Sequence, residues 1–130
     1  MTQDALTKSS LQVRAKVWLE ADEEYIFGLG ICRILEAVAE TGSIKRAAAA
    51  IGKSYRHTWA RIKKVEEQLG VSLVETRVGG SDAHRSDLTA AAQTLVKEYR
   101  RLRADVFQLV EQRFNDAIRD AVATAVRTSD

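Results

Sequence analysis

The spacing of apolar positions changes along the chain, and each change marks an element. From Leu11 to Leu19 apolar and other residues alternate: Leu11, Val13, Ala15, Val17 and Leu19 against Gln12, Arg14, Lys16 and Trp18. Period two predicts a strand with one buried face and turns Trp18 towards a second layer or a partner chain. Ala21-Asp22-Glu23-Glu24 breaks the alternation. From Tyr25 to about Thr41 the spacing becomes helical, with Ile31, Ile34, Leu35 and Val38 as the apolar stripe and Gly42 as the C-terminal cap. Ser43 is placed to cap a short helix through Ile51, in which Ala47, Ala48 and Ala49 are small enough to let another helix pass close. Gly52 stops that helix, and Ser54 opens another to about Leu69. Thr58, Ile62, Val65 and Leu69 form its expected core face, with Trp59 packed beside them. A helix, a glycine turn, a short helix, a second glycine and a longer helix follow the order of a helix-turn-helix.

Val71 to Val78 and Ser86-Asp87-Leu88 predict two short strands, with Gly79-Gly80 turning the chain between them. A hairpin in that place is a wing. Thr89 caps a final helix that meets neither Gly nor Pro from Ala90 to about Val126, a length of roughly 55 Å. Ala92, Leu95, Tyr99, Leu102, Val106 and Leu109 alternate in steps of three and four; Arg113 breaks the series. It restarts one step displaced at Val110, Phe114, Ala117 and Ala121, a seam with a stutter. The expected fold class is mostly α: a winged helix-turn-helix with an N-terminal strand, a β-hairpin wing and a long C-terminal dimerisation helix. Residues 1–10 are expected to be a loose N-terminus, residues 11–89 the DNA-binding domain and residues 90–127 the dimerisation arm.

Charge sharpens this picture. The 130 residues carry a net charge of only +2, yet seven of the 20 Lys and Arg lie between Ser43 and Lys64 with no acid among them. The remainder is acidic on balance. A concentrated positive segment on an acidic body suits a phosphate backbone, although a solvated helix face would also carry such charge. The absence of Pro and the 6% aromatic content agree with a helical chain. A single cysteine, Cys32, lies among Leu29, Ile31, Ile34 and Leu35 and is expected to be a buried structural thiol. With no apolar run near the ~20 residues of a membrane span and no signal-peptide hydrophobic region at the start, a cytoplasmic location without membrane contact is expected. No Cys/His metal cluster, phosphate loop or nucleophile elbow occurs, so neither enzymatic activity nor a cofactor is expected. His84 with Asp82 and Asp87 is read as a hairpin tip rather than a metal site.

Gly42-Ser43-Ile44-Lys45-Arg46-Ala47-Ala48-Ala49-Ala50-Ile51-Gly52-Lys53-Ser54 resembles the first half of the LysR-type helix-turn-helix, and Ile62 to Arg77 continues the likeness. A narrower resemblance is to the DNA-binding domain of the molybdate-responsive ModE regulators, over roughly residues 13–105. It is carried by Trp18-Leu19-Glu20, by Gly30-Ile31-Cys32-Arg33-Ile34-Leu35, by Ser54-Tyr55-Arg56 with Trp59, and by Gly79-Gly80 followed by Leu88-Thr89. The wing segment, Gly79-Gly80-Ser81-Asp82-Ala83-His84-Arg85, is less glycine-rich than the ModE pattern. The sequence as given ends at Asp130, without the molybdate-binding domains of full-length ModE regulators. The resemblance therefore implies DNA binding and dimerisation, with target genes tied to molybdate transport or metabolism, and leaves the signal open.

In this motif the second helix enters the major groove and its first turn meets the base edges. The expected DNA-binding residues are Ser43, Lys45, Arg46, Lys53, Ser54, Tyr55, Arg56, His57, Arg61, Lys64, Arg77 and Arg85. Arg56 and Arg61 have the donor geometry for guanine O6 and N7. Ser43, Lys45 and Arg46 stand at a helix N-terminus that favours phosphate, Lys53 and Lys63 add backbone contacts, and Arg77, His84 and Arg85 reach from the wing. The expected partners are double-stranded DNA with an inverted-repeat operator and a second copy of the chain, met through the C-terminal helix and the N-terminal strand. The expected function is that of a sequence-specific transcription regulator, a dimeric repressor type. A non-specific architectural DNA binder or a protein-interaction adaptor is the alternative.

Overall fold

A computed structural model describes residues 11–77 and 85–128 of the chain. They divide between two compact units, Val17–Arg101 and a second made of the segment up to Lys16 with Leu102–Asp130.

The first unit opens on a hairpin of β1 (Leu19–Ala21) and β2 (Glu24–Phe27). The strands are antiparallel, with Glu20 opposite Tyr25 and Ala21 opposite Glu24. Asp22 and Glu23 form the turn with φ of 51° and 65°, the primed geometry that matches strand twist. This corrects the sequence reading twice. The strand expected over Leu11–Leu19 begins only at Leu19, and Tyr25-Ile26-Phe27, expected as helix, is strand. Helix α1 starts at Leu29 and runs to Thr41, with Ile31, Ile34, Leu35 and Val38 buried as its periodicity requires. Gly42, at φ 73°, ends it. Helix α2 (Ile44–Ala50) and helix α3 (Tyr55–Leu69) follow.

Strands β3 (Val74–Arg77) and β4 (Arg85–Leu88) pair antiparallel, from Val74 opposite Leu88 to Arg77 opposite Arg85. The turn expected at Gly79-Gly80, and His84, lie outside the described residues. Thr89 caps α4 (Ala90–Arg113) by accepting the Ala92 N–H at 3.1 Å. Phe27, Ile31, Leu35, Ile62, Val65 and Leu73 fill the core between these elements. Tyr99 seals it from α4, its ring edge-on to Phe27 at 5.4 Å and its hydroxyl donating to the Val17 carbonyl at 2.8 Å. One residue along, Arg100 grips Glu36 of α1 with two hydrogen bonds of 2.7 and 2.8 Å.

In the second unit the backbone over 11–16 is paired in no strand, but burial still alternates: Leu11, Val13 and Ala15 are half-buried and Gln12, Arg14 and Lys16 exposed. The C-terminal helix does not run straight through. A π-helical turn at Phe114–Ile118 separates α4 from α5 (Arg119–Thr128). The sequence seam slips by one residue at this point. A π turn holds about one residue more than an α turn, so it absorbs the slip.

Candidate nucleic-acid interface

The candidate interface is built on two capped helix starts. Ser43 Oγ accepts the Arg46 N–H at 3.1 Å, and Ser54 Oγ accepts the His57 N–H at 3.0 Å. Each hydroxyl keeps its own proton as a donor, so each can still serve an acceptor outside the helix. Thr58 ties the start of α3 down by donating from its buried hydroxyl to the Ser54 carbonyl at 2.9 Å. Gly42 joins the turn before α2 to the second hairpin: its carbonyl accepts the Ser86 N–H at 2.8 Å.

Thr58, Ile62 and Val65 are the buried residues of α3. Helical periodicity then places Arg56, Ala60 and Lys64 on the opposite face, with His57 beside them, and all four are exposed. Lys45 and Lys53 are exposed as well. Among the described residues Lys45, Lys53, Arg56 and Lys64 have no carboxylate partner. Four of the seven cations concentrated in the sequence are thus exposed on the fold without a counter-charge among the described residues.

Other expected site residues are engaged by the protein. Arg61 is half-buried and lies over the Tyr25 ring, 5.6 Å from its centroid; it leans onto the hairpin and is not aligned with Arg56. Arg46 donates to the Thr41 carbonyl from Nε and NH2 at 3.3 and 3.0 Å, which satisfies the end of α1 and leaves part of the guanidinium open. Arg77 and Arg85 share Asp87, at 2.7 and 3.1 Å, so the base of the hairpin sets two cations against one carboxylate.

Two residues assigned to the core of α3 are on its surface. Trp59 is 44% exposed and Leu69 38%. Tyr55 is exposed too, so Tyr55 and Trp59 form an aromatic pair one turn apart beside the basic face. The sequence hint was present: Trp59 follows Thr58 immediately and cannot share its side of the helix. On the far side of Trp59 stands Lys63, its Nζ 5.6 Å from the ring centroid and 3.2 Å from Glu66. Glu66 in turn accepts the N–H groups of Leu73 and Val74 at 2.7 and 3.2 Å, fixing α3 to the strand that follows. Among the described residues no group of His, Cys, Asp or Glu could hold a metal, and no helix is long and apolar enough to cross a membrane.

Three helices with α2 and α3 as the helix-turn-helix, followed by the β3–β4 hairpin and a long helix, define a winged helix-turn-helix domain. The chain belongs to the LysR family of bacterial regulatory helix-turn-helix proteins, whose family model matches residues 29–93, half of its length. Among curated proteins it is similar to the molybdenum transport protein ModE of Herbaspirillum seropedicae, 38% identical over 69 residues, or 53% of this chain and 26% of that protein. It is also similar to the molybdenum-pterin-binding protein MopB of Rhodobacter capsulatus, 31% identical over 77 residues, or 59% of this chain and 28% of that protein. The chain therefore spans only about a quarter of the length of these relatives. Among solved structures, the BenM DNA-binding domain in its complex with benA site 1 DNA superposes with a TM-score of 0.53 at 24% identity, over 70% of this chain and 97% of that one. Its complex with catB site 1 DNA gives 0.52 at 25% identity, over 68% and 96%.

Proposed function

We propose that this protein is a sequence-reading transcription regulator that binds operator DNA as a homodimer, with α3 in the major groove, and acts as a repressor. One observation carries the reading: among the described residues Arg56 and Lys64 have no carboxylate partner on the face of α3 opposite its core residues, and Lys45 and Lys53, near the serine-capped starts of α2 and α3, are exposed without one as well. Arg56 is the base reader in this proposal, because a guanidinium can donate two parallel hydrogen bonds to guanine O6 and N7. Ser43, Lys45, Arg46, Lys53, Ser54 and Lys64 hold phosphates, and His57 lies at the groove edge. Arg77 and Arg85 steer from the wing while tethered to Asp87. Arg61 supports the hairpin and takes no base.

The C-terminal helix is the proposed dimerisation element. Leu102 and Leu109, seven residues apart, are 42% and 60% exposed, and apolar side chains repeated at that spacing are stabilised by a facing helix. The relatives named for molybdenum transport and molybdenum-pterin binding favour target genes of molybdenum metabolism. A cytoplasmic location and the lack of an enzymatic role follow from this reading. Selection of duplexes from a random pool by the full chain tests it. The expected product is an imperfect inverted repeat with half-site centres about 34 Å apart, or a multiple of that. A pool that yields no consensus contradicts it and leaves an architectural binder or an adaptor.

A further inference from the structure

Tyr55 and Trp59 are the two largest side chains on the solvent side of α3, 50% and 44% exposed, in the same helix that carries Arg56 and Lys64. A core position would hide them. An ordinary solvent-facing position would not select the most costly apolar side chains twice in succession at i and i+4. Their neighbours include cations: Arg56 follows Tyr55 in sequence, and Lys63, which also pairs with Glu66, stands against the Trp59 ring. A partner that covers this stripe must therefore present anionic groups next to an apolar one. In the major groove, phosphates line the edges, and the only apolar group on any base edge is the thymine 5-methyl.

We propose that Trp59, with Tyr55 beside it, reads thymine through contact with its 5-methyl group, a second specificity element next to the guanine-reading Arg56. This rests on the proposed docking of α3 in the major groove. The ring takes the methyl group in van der Waals contact, and Lys63 and Arg56 hold the flanking phosphate and base. The preferred half-site then contains thymine within one or two steps of the guanine that Arg56 contacts.

The test uses the full chain and a duplex selected by it from a random pool, prepared with thymidine and again with deoxyuridine, which lacks only the methyl group. The wild-type protein should bind the deoxyuridine duplex about fourfold more weakly for each methyl contacted. Trp59→Ala should lose a similar factor on the thymidine duplex and be indifferent to deoxyuridine. Trp59 is exposed, so the variant should keep the helical circular dichroism of the parent. The sequence has two tryptophans, so a Trp18→Phe protein reports on Trp59 alone, and its fluorescence should change when the selected duplex is added. Unchanged affinity of Trp59→Ala, or a deoxyuridine penalty that persists in it, overturns the inference. If selection yields no preferred duplex at all, the sequence-reading function itself fails, which is a distinct result.

Discussion

Single residues decide whether the two helix starts are held in place. Gly42 is the clearest case. Its φ of 73° lies in the left-handed region, and a Cβ built there would come 2.9 Å from the NH1 of Arg85. Gly42→Ala should destabilise the fold by ~1–2 kcal/mol, read as a lower urea midpoint with an unchanged slope. Glu36 makes a second, pH-dependent case. The Arg100 guanidinium hydrogen-bonded to it holds its carboxyl below the ordinary range, more than burial raises it. A carboxyl lowered in the folded state stabilises the fold above its unfolded pKa, and that contribution is lost as pH falls through the lowered value. Both side chains remain more than a third open to water, so the pair is worth no more than ~1 kcal/mol. Glu36→Gln should be less stable than the parent at neutral pH, and the two urea curves should converge in acid. A gap that stays constant down to strongly acidic pH would show that the pair does not act through charge. None of this was legible beforehand: the sequence marks Gly42 as a cap, but the partners Arg85 and Arg100 lie far along the chain.

Elements were legible to the degree that their signals were local. The stripe of α1 and the serine caps of α2 and α3 stand where periodicity and cap residues put them, because a cap and its helix lie within a few residues of each other. The two wing strands are present, but the first begins at Val74 rather than Val71. The N-terminal hairpin was not expected; a single strand over Leu11–Leu19 was. Its turn is Asp22-Glu23 and holds no glycine, so the usual hairpin signal was missing, and Tyr25-Ile26-Phe27 was absorbed into the helix that follows. Trp59 was misplaced for a different reason, the habit of assigning a large aromatic to the core. The stutter after Leu109 was visible as a break in spacing, and the fold answers it with a π turn. Because α3 is the element proposed to read DNA, its N-terminal cap has a double effect. Ser54→Ala should cost ~1 kcal/mol of stability and weaken DNA binding further, since the same hydroxyl is proposed to donate to phosphate. Equal affinity for DNA in parent and variant would confine Ser54 to capping.

At the scale of the whole molecule the proposal needs two copies of the chain. Leu102 and Leu109 are among its exposed large apolar side chains and stand seven residues apart on one helix. Sedimentation should give a dimer at micromolar concentration, and replacing both leucines with Asp should give a folded monomer with far weaker operator binding. A monomeric parent would contradict the dimer. The most direct measurement of the central claim compares affinity for the selected duplex with affinity for random DNA of equal length, across a salt series, in the parent and in Arg56→Ala. The parent should prefer the selected duplex by ~10³-fold or more and lose affinity steeply with salt. Arg56→Ala should lose ~1–3 kcal/mol on the selected duplex and little on random DNA. Equal binding of the parent to both duplexes, or equal losses in the variant, would contradict sequence reading by α3.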